Sequence, residues 1–232
     1  MPYKLYHLLY GSPFKCGSFS ESSEKCFGRG NCLRIFDQKY LGVVCLAYIQ
    51  NITVSIYLEP TSSAEINAAG LVSKNVSSTI DNFVVNGVVY VQANNKSGDA
   101  YVGGVAAQNY SSGADKIVKI MNCENNAIVT LNTKWAAEDI KATYVAGIAA
   151  KVSVKDANTS AWILNCANKG TVTTNIATDT YTQISYMGGI VGCFEDTNSE
   201  TAVRGELQNC YNYGQIEGIV HKLDGVHTVV GN

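Results

Sequence analysis

Short runs of alternating apolar and polar residues recur along most of the chain, and each run predicts a β-strand. The run Ile52–Leu58 is one example, with a β-branched or leucine side chain at every second position. Asn, Gly and Ser cluster between the runs, as they do in turns. One segment departs from this pattern, because Trp135–Ala142 has good helix propensity and predicts a short helix in a loop. The predicted fold class is all-β.

A string made of a small residue, glycine and aliphatic residues recurs four times after residue 65. Its central glycines lie 34, 43 and 42 residues apart and are Gly70, Gly104, Gly147 and Gly189. Self-similarity at such a period is typical of repeat architectures. A further 42 residues leads to Gly231, which predicts a truncated fifth unit from residue 228 and more repeats of the same chain beyond residue 232.

A second landmark follows each glycine string at a similar distance. It ends in asparagine and then cysteine or phenylalanine, and its asparagines are Asn82, Asn122, Asn165 and Asn209. A glycine or alanine and then an aliphatic residue follow in each copy. Each unit thus predicts three strands, with a variable loop after the first strand and a tight turn before the third. The expected variable loops are 73–79, 108–119, 151–160 and 193–205.

Three short strands cannot bury an apolar face alone, so the units are expected to stack on one another. Residues at equal repeat positions would then lie ~4.8 Å apart. Stacked asparagine amides can hydrogen-bond from one rung to the next, and the glycines permit a bend or a close backbone approach. The glycine strand is expected to bury Leu71, Val105, Ile148 and Ile190 rather than Val72, Ala106, Ala149 and Val191.

The predicted architecture is a parallel β-solenoid (β-helix) of about four to five coils behind a small disulfide-rich N-terminal module. The N-terminal segment covers residues 1–48 and the repeats cover 49–232. The expected units are 49–65, which is degenerate, 66–100, 101–143, 144–185, 186–227, and the truncated fifth from 228.

The fourth unit carries a family resemblance. Residues 186–192 and 206–218 read YMGGIVG and ELQNCYNYGQIEG, which resembles the GLUG repeat, with its pattern of GGLVG, a linker and I-x-N-C-Y-x-x-G-x-V-x-G. The units at 101–131 and 144–174 match most landmarks, whereas the unit at 66–91 has Phe83 in place of cysteine. The resemblance implies a β-solenoid of large extracellular and surface proteins, including adhesin-like proteins and the non-catalytic parts of some secreted peptidases.

The N-terminal segment holds four of the eight cysteines, Cys16, Cys26, Cys32 and Cys45. An even number of cysteines in a short, loop-rich segment favours disulfides and an oxidising compartment. Zinc is the alternative, but the spacings lack the close Cys-x₂₋₄-Cys pair of structural sites. The string Cys26-Phe-Gly-Arg-Gly-Asn-Cys32 is similar to part of an EGF-like module.

Three further cysteines, Cys123, Cys166 and Cys210, directly follow asparagines of the second landmark. In stacked strands their parallel Cβ vectors would keep the Cβ atoms ~4.8 Å apart, whereas a disulfide prefers ~3.8 Å. Phe83 at the same position indicates an apolar filler. We predict three buried free thiols, and a Cys193 that is unpaired within this chain.

The charge balance excludes one class of partner. The chain has 17 Lys and Arg against 19 Asp and Glu, a formal net charge of −2 and no basic run, so nothing indicates nucleic-acid binding. No apolar stretch approaches the ~20 residues that span a bilayer, and Leu5–Tyr10 is shorter than the apolar core of a signal peptide. We expect no membrane insertion by this segment, with any signal or anchor outside the chain.

Candidate catalytic groups do not converge in the sequence. His7 lies in the terminal tail, and His221 and His227 are expected in a loop without metal-ligand spacing. Cleavage of polysaccharides by paired carboxylates is the enzymatic alternative. Glu195 and Asp196 are its best isolated pair, at an expected loop tip. We predict no catalytic residue, no cofactor and no metal.

Tyr101, Tyr144 and Tyr186 precede the glycine string at equal offset and are expected to stack as a ladder. We favour a structural role, with a sugar-binding platform as the alternative, because flat rings match the apolar faces of sugars.

The sequence predicts a non-catalytic, extracellular or cell-surface segment of a larger protein. Its stacked repeats would present a surface for adhesion to a glycan or protein ligand on a host or neighbouring cell. A secreted hydrolase that cleaves polysaccharide or peptide, with these repeats as its stalk or catalytic part, is the alternative.

Overall fold

The computed structural model describes residues 51–59, 65–93, 98–113, 116–133, 142–154, 156, 158–178, 184–196, 205–222 and 225–229. Across these ranges the fold is all-β, and no helix occurs in them. Cys16, Cys26, Cys32 and Cys45 lie outside the described residues, as do 135–141 of the predicted helix. Ala142, the last residue of that predicted helix, begins a strand instead.

The strands of the described residues are short and follow one another closely along the chain. They are β1 (Asn51–Leu58), β2 (Ile66–Ala69), β3 (Val72–Val76), β4 (Thr79–Asp81), β5 (Val84–Ala93), β6 (Ala100–Gly103), β7 (Ala106–Ser111), β8 (Ile117–Met121), β9 (Glu124–Asn125), β10 (Ile128–Thr133), β11 (Ala142–Ala146), β12 (Ala149–Val154), β13 (Ser160–Leu164), β14 (Ala167–Asn168), β15 (Val172–Thr178), β16 (Ile184–Gly188), β17 (Val191–Asp196), β18 (Gly205–Gln208), β19 (Tyr211–Asn212), β20 (Ile216–Lys222) and β21 (Gly225–Val229).

These strands pair into four sheets, which we call A to D. Sheet A holds nine strands in the order β19-β14-β9-β5-β10-β15-β20-β21, with β1 also paired to β5. Sheets B, C and D hold four strands each, in the orders β16-β11-β6-β2, β17-β12-β7-β3 and β18-β13-β8-β4. Each of the four repeats from residue 66 therefore contributes a strand to every sheet. The pairing is parallel except between β20 and β21.

Residues at equal repeat positions lie opposite one another in these sheets. Tyr144 pairs with Tyr101 on one side and with Tyr186 on the other, and Ile163 pairs likewise with Ile120 and Leu207. This register is the one that the two sequence landmarks predict.

Apolar side chains of all four sheets meet in one large cluster. Its buried members from sheets A, B, C and D include Val89, Val102, Val152 and Ile120 respectively. A second, smaller cluster lies on the other face of sheets B and C and contains Tyr101, Ala107, Ala142, Tyr144 and Ala150.

Sheets A and D bury one face, so alternate residues along strands such as β10 and β8 point outward. In sheet B, by contrast, β6 and β11 are buried at every position.

The segments that were expected to be variable loops are partly strands in the structure. Each of the ranges 73–79, 108–119, 151–160 and 193–205 begins inside a strand of sheet C. A repeat therefore has strands in four sheets, not three strands. Stacking these segments on one another pairs backbone groups that a loop would leave to solvent.

The glycine string forms a corner between sheets B and C and is not one continuous strand. In the second repeat β6 ends at Gly103 and β7 begins at Ala106, so that Gly104 and Val105 lie between them. Both Val105 and Ala106 are fully buried. The expectation that only one of these two sets faces inward was wrong, because the chain turns between them.

Close packing explains the central glycine of this corner. A Cβ atom on Gly147 would meet the side chain of Asn168 and the carbonyl oxygen of Gly189, well inside the 3.0 Å that real Cβ atoms keep. Gly104 and Gly189 face Asn125 and Asn212 in the same way. These glycines therefore provide room and are not needed for a left-handed backbone conformation.

The two ends of the described stack differ from the other repeats. Strand β1 pairs with β5 so that Asn51 lies opposite Val84, two residues after Asn82. The degenerate first unit therefore adds no asparagine to the ladder position of Asn82. At the other end, β21 pairs antiparallel with β20 and does not extend sheet B as a fifth repeat would. His221 and His227 accordingly lie in β20 and β21, not in a loop.

Replacing Gly147 by Ala should destabilise the chain by about 3 kcal/mol, because the new methyl group must displace backbone and a buried amide together. Urea unfolding followed by circular dichroism measures this cost. Ser112→Ala, at an exposed position in a neighbouring segment, is the control and should change stability by less than about 0.5 kcal/mol. Equal stability of the two variants would show that the corner is not packed as described.

Candidate functional site

An internal ladder of asparagine amides runs beside the glycine corners. Asn125 donates a hydrogen bond from Nδ2 to Asn168 Oδ1 at 2.8 Å, and Asn168 donates in turn to Asn212 at 2.8 Å. Each amide also donates to the carbonyl oxygen two residues later, as Asn168 does to Gly170 at 2.9 Å. Asn125 and Asn168 are fully buried. The ladder therefore satisfies turn backbone that solvent cannot reach.

The sequence analysis missed this ladder. Its signal is the second asparagine of the pattern N-C-x-N, which occurs at Asn125, Asn168 and Asn212 and is replaced by Val85 in the first repeat. Val85 Cγ1 occupies the corresponding space against Gly70. Because Val85 is apolar, the residue type at this position is not the same in all four repeats. The three asparagines were therefore not recognised as a ladder.

The predicted ladder of Asn82, Asn122, Asn165 and Asn209 lies on the outside of the stack. Asn165 donates from Nδ2 to Asn122 Oδ1 at 3.1 Å, and Asn209 donates to Asn165 at 3.2 Å. Asn122 donates to Asp81 Oδ1 at 2.8 Å and not to Asn82. All four asparagines have positive φ, between 50° and 61°, a conformation that asparagine tolerates better than most residues. The outer ladder therefore lies at a turn of the backbone in each repeat.

The three cysteines beside this ladder are free thiols in the structure. Cys123 and Cys166 are buried, and Cys210, in the last repeat, is half-buried. The hydrogen bond with the thiol of Cys123 raises the pKa of Cys166 to about 12, and burial acts in the same direction. The same contact lowers the pKa of Cys123. Cys193 lies apart from them in sheet C and is also free.

The tyrosine ladder is present, and its ring faces are used in stacking. The rings of Tyr101 and Tyr144 stack with centroids 4.6 Å apart, and those of Tyr144 and Tyr186 stack at 4.8 Å. Tyr101 and Tyr144 are only 4% and 7% exposed. Burial raises the pKa of both phenols well above the ordinary value. Because both faces of Tyr144 are covered by rings, this ring offers no flat surface to a sugar.

The best candidate carboxylate pair of the sequence analysis is not at a loop tip. Glu195 and Asp196 both lie in β17, and Glu195 forms an ion pair of 2.8 Å with Lys151. Lys151 also lies over the Tyr144 ring, with its Nζ 5.1 Å from the centroid. The carboxylate of Glu195 is therefore neutralised in a structural contact.

Sheet A presents a different face to solvent, one that the sequence analysis did not single out. The outward side chains of β1 and β5 include Tyr57 and Tyr90, whose ring centroids lie 5.7 Å apart. Tyr57 is 64% exposed. Beside them Asn132 donates to the Tyr90 hydroxyl at 3.1 Å, and that hydroxyl donates to Gln92 at 3.1 Å. Thr130 and Thr173 continue the row with a hydrogen bond of 2.8 Å.

This outer face of sheet A, which we call the tyrosine–amide face, is uncharged on β1, β5, β10 and β15 and ends at β20, where Glu217 lies opposite Thr173. Strands β1, β5, β10 and β15 contain no Asp, Glu, Lys or Arg. Its members are Tyr57, Tyr90, Gln92, Thr130, Asn132 and Thr173. In the sequence, the signal for this face was that Tyr57 and Tyr90 occupy equivalent positions in β1 and β5. Apolar residues occur on both sides of β5, and they concealed the alternation that marks an outward face.

Among the described residues, no three His, Cys, Asp or Glu side chains come together so that they could hold a metal ion. The search for a membrane-spanning helix, over the same residues, found none of sufficient length and hydropathy. Comparison of the chain with protein-family models, with curated proteins and with solved structures found no match.

Replacing Asn168 by Asp should cost about 3 kcal/mol at pH 7, because the isosteric carboxylate cannot donate to Gly170 or Asn212. Burial should raise the pKa of the new carboxyl in the folded chain above its unfolded value. The destabilisation is then largest above that folded pKa and decreases as the pH falls towards ~4.

Asn165→Asp in the exposed outer ladder is the matched control, and it should cost less than about 1.5 kcal/mol. Urea unfolding at several pH values measures both variants. An equal cost for the two substitutions would contradict a buried inner ladder.

Alkylation should separate the cysteines of the repeats by accessibility. We expect Cys193 and Cys210, which are half-buried, to react with iodoacetamide in the folded chain, but slowly. Burial raises the thiol pKa of Cys193, and the contact with Cys166 together with burial raises that of Cys210. Cys123 and Cys166 should react only after unfolding, because the reagent cannot reach a buried sulfur. Peptide mass spectrometry before and after unfolding makes the comparison. A native disulfide between Cys123 and Cys166 would show that the repeats are stacked differently.

Proposed function

We propose that this chain is a non-catalytic recognition segment whose tyrosine–amide face binds neutral glycans at the surface of a cell. In this proposal the parallel sheets close into a β-solenoid of GLUG-like repeats, and residues 1–48 form a disulfide-linked, EGF-like module in front of it. The segment belongs to a larger extracellular or cell-surface protein, and its ligand is carried by a host or neighbouring cell.

The in-register stacking of four repeats supports the solenoid. Each of the four repeats adds strands to all of sheets A to D, and one large apolar cluster is shared by the four sheets. A chain that advances by one strand spacing per turn around a common core produces this pattern.

The tyrosine–amide face carries the proposal of glycan binding. Sugars offer apolar ring faces and many hydroxyl groups, and protein sites bind them with exposed aromatic rings beside amide and hydroxyl side chains. Tyr57 supplies the exposed ring, and Gln92 and Asn132 supply amides on the next rungs. The regular strand spacing of ~4.8 Å lets an extended oligosaccharide contact several rungs at once.

The absence of charge on this face indicates the class of glycan. The face has neither lysine nor arginine to pair with sulfate or uronic acid groups. Neutral hexose or N-acetylhexosamine chains therefore fit this surface better than acidic polysaccharides. The hydrolase alternative gains no support, because the carboxylate of Glu195 is held by Lys151.

A glycan array probed with the purified chain tests the proposal. We expect neutral oligosaccharides to be bound, and Tyr57→Ala to weaken the binding more than tenfold, which is about 1.4 kcal/mol. The unfolding midpoint should change little, because the Tyr57 side chain is mostly exposed.

Two control variants make the result specific. Phe194→Ala removes an aromatic side chain that is 41% exposed in sheet C, and glycan affinity should be unchanged. Tyr144→Ala should lower the unfolding midpoint, by removing a buried stacked ring, without removing any contact to the glycan. No bound neutral glycan, or equal losses with Tyr57→Ala and Phe194→Ala, would overturn the proposal.

A further inference from the structure

The tyrosine–amide face carries three parallel columns of outward side chains, which run along the stack and cross the strands. The central column consists of Tyr57, Tyr90, Thr130 and Thr173. An apolar column beside it consists of Val88 and Ile128, on β5 and β10. An amide column on its other side consists of Gln92, Asn132 and Asn175. The face is therefore apolar along one side and polar along the other.

These columns are open to solvent at the inner rungs of the stack. Ile128 is 46% exposed, and Asn175 is also exposed. β10 lies between β5 and β15, and β15 lies between β10 and β20, so described strands flank both residues. Access to this part of the face therefore does not depend on what lies beyond either end of the stack.

The spacing of the columns matches one sugar ring on each rung. Adjacent columns are two residues apart, or roughly 6.7 Å along a strand, and adjacent rungs are ~4.8 Å apart. A pyranose ring that lies over the apolar and central columns covers Ile128 and Thr130 with its apolar face. The equivalent residues on β5 are Val88 and Tyr90. The edge of the ring then points to the amide column, where Asn132 can hydrogen-bond to sugar hydroxyl groups.

The step from one rung to the next selects the linkage between the sugars. In an extended β-1,4-linked chain, each sugar advances by a distance close to the strand spacing of ~4.8 Å, and both edges of the chain carry hydroxyl groups. An α-1,4-linked chain coils, so its successive rings leave a straight row of contacts. A linear β-1,4-linked chain can therefore keep one sugar on each rung.

The fifth rung of sheet A ends this pattern. In β20, Glu217 lies opposite Thr173 and Ile219 lies opposite Asn175. The central column is thus followed by a carboxylate, and the amide column by a residue that has no amide side chain. The described face offers four consecutive rungs to a sugar chain, on β1, β5, β10 and β15.

We infer that the tyrosine–amide face binds a linear, neutral, β-1,4-linked oligosaccharide that runs along the stack with one sugar on each of its four rungs. Tyr57 and Tyr90 hold the sugars at one end, and Thr173 and Asn175 hold the sugar at the other end. This inference rests on the proposed glycan recognition and adds to it the linkage, the direction and the length of the ligand.

Isothermal titration calorimetry with the whole chain tests the linkage and the length. The probes are β-1,4-linked tetrasaccharides of glucose, mannose and N-acetylglucosamine, and the α-1,4-linked tetrasaccharide of glucose is the matched control. We expect at least one β-1,4-linked probe to bind at least tenfold more tightly than the control. The disaccharide of that probe should bind at least tenfold more weakly than the tetrasaccharide, because it contacts half of the rungs.

Variants at the two ends of the row test the direction. Asn175→Ala removes a contact on the fourth rung, so it should weaken tetrasaccharide binding at least fivefold and leave disaccharide binding, at the two tyrosines, unchanged. Tyr57→Ala should weaken the binding of both ligands. Gln208→Ala removes an exposed amide side chain from sheet D and is the matched control, which should change neither affinity. Unfolding midpoints close to the wild type show that each variant is folded.

Two outcomes would overturn this inference and leave the proposed function in place. One is binding of an α-1,4-linked or branched neutral glycan as tightly as any β-1,4-linked probe. The other is an equal loss of disaccharide and tetrasaccharide affinity in the Asn175→Ala variant. If no neutral oligosaccharide binds, the inference and the proposed function are both wrong.

Discussion

The contact between a corner glycine and an internal asparagine is the constraint on which the rest of the structure depends. At this corner the backbone passes from sheet B to sheet C, and Gly147 lies directly against the Asn168 amide. The amide can approach so closely only because glycine has no side chain. The approach in turn lets the amide reach both its own turn and the next repeat. The close approach of glycine and asparagine therefore links the glycine string of a repeat to the segment that follows its asparagine–cysteine string.

Stacking converts this local requirement into long-range order. In a parallel stack, each side chain has the same neighbour above and below, so a polar residue inside the core is tolerated if its copies satisfy one another. Asn125 and Asn168 meet this condition. The same logic applies outside the core, where the stacked rings of Tyr101, Tyr144 and Tyr186 stabilise the outer surface of sheet B. Regularity is thus a consequence of mutual satisfaction between equivalent residues.

Some outward side chains contact one another in the stack, and only the remaining ones are available to bind a ligand. The three tyrosines next to the glycine string use their faces on one another, and Lys151 and Glu195 pair across neighbouring strands. In sheet A the pairing of Lys169 with Glu124 lies beside β9 and β14, whereas β1, β5, β10 and β15 carry no charged residue and Tyr57 keeps most of its surface in solvent. A flat, uncharged face with one exposed ring and neighbouring amides is consistent with a role in presenting or binding sugars, as proposed above.

The amino-acid sequence by itself determined the repeat register, the all-β character and the alignment of Asn122, Asn165 and Asn209, because stacked copies share position and pairing directly. The tertiary structure decided how many sheets each repeat enters, since the stretch after each glycine corner pairs only when its copies lie beside it. It also decided which tyrosines are exposed. Tyr101 and Tyr57 both lie in short β-strands, yet the corner between sheets B and C buries the first and the open face of sheet A leaves the second in solvent. Exposure depends on which way the chain turns between sheets, and that turn arises from contacts between residues about 20 or more positions apart, such as Gly104 with Asn125.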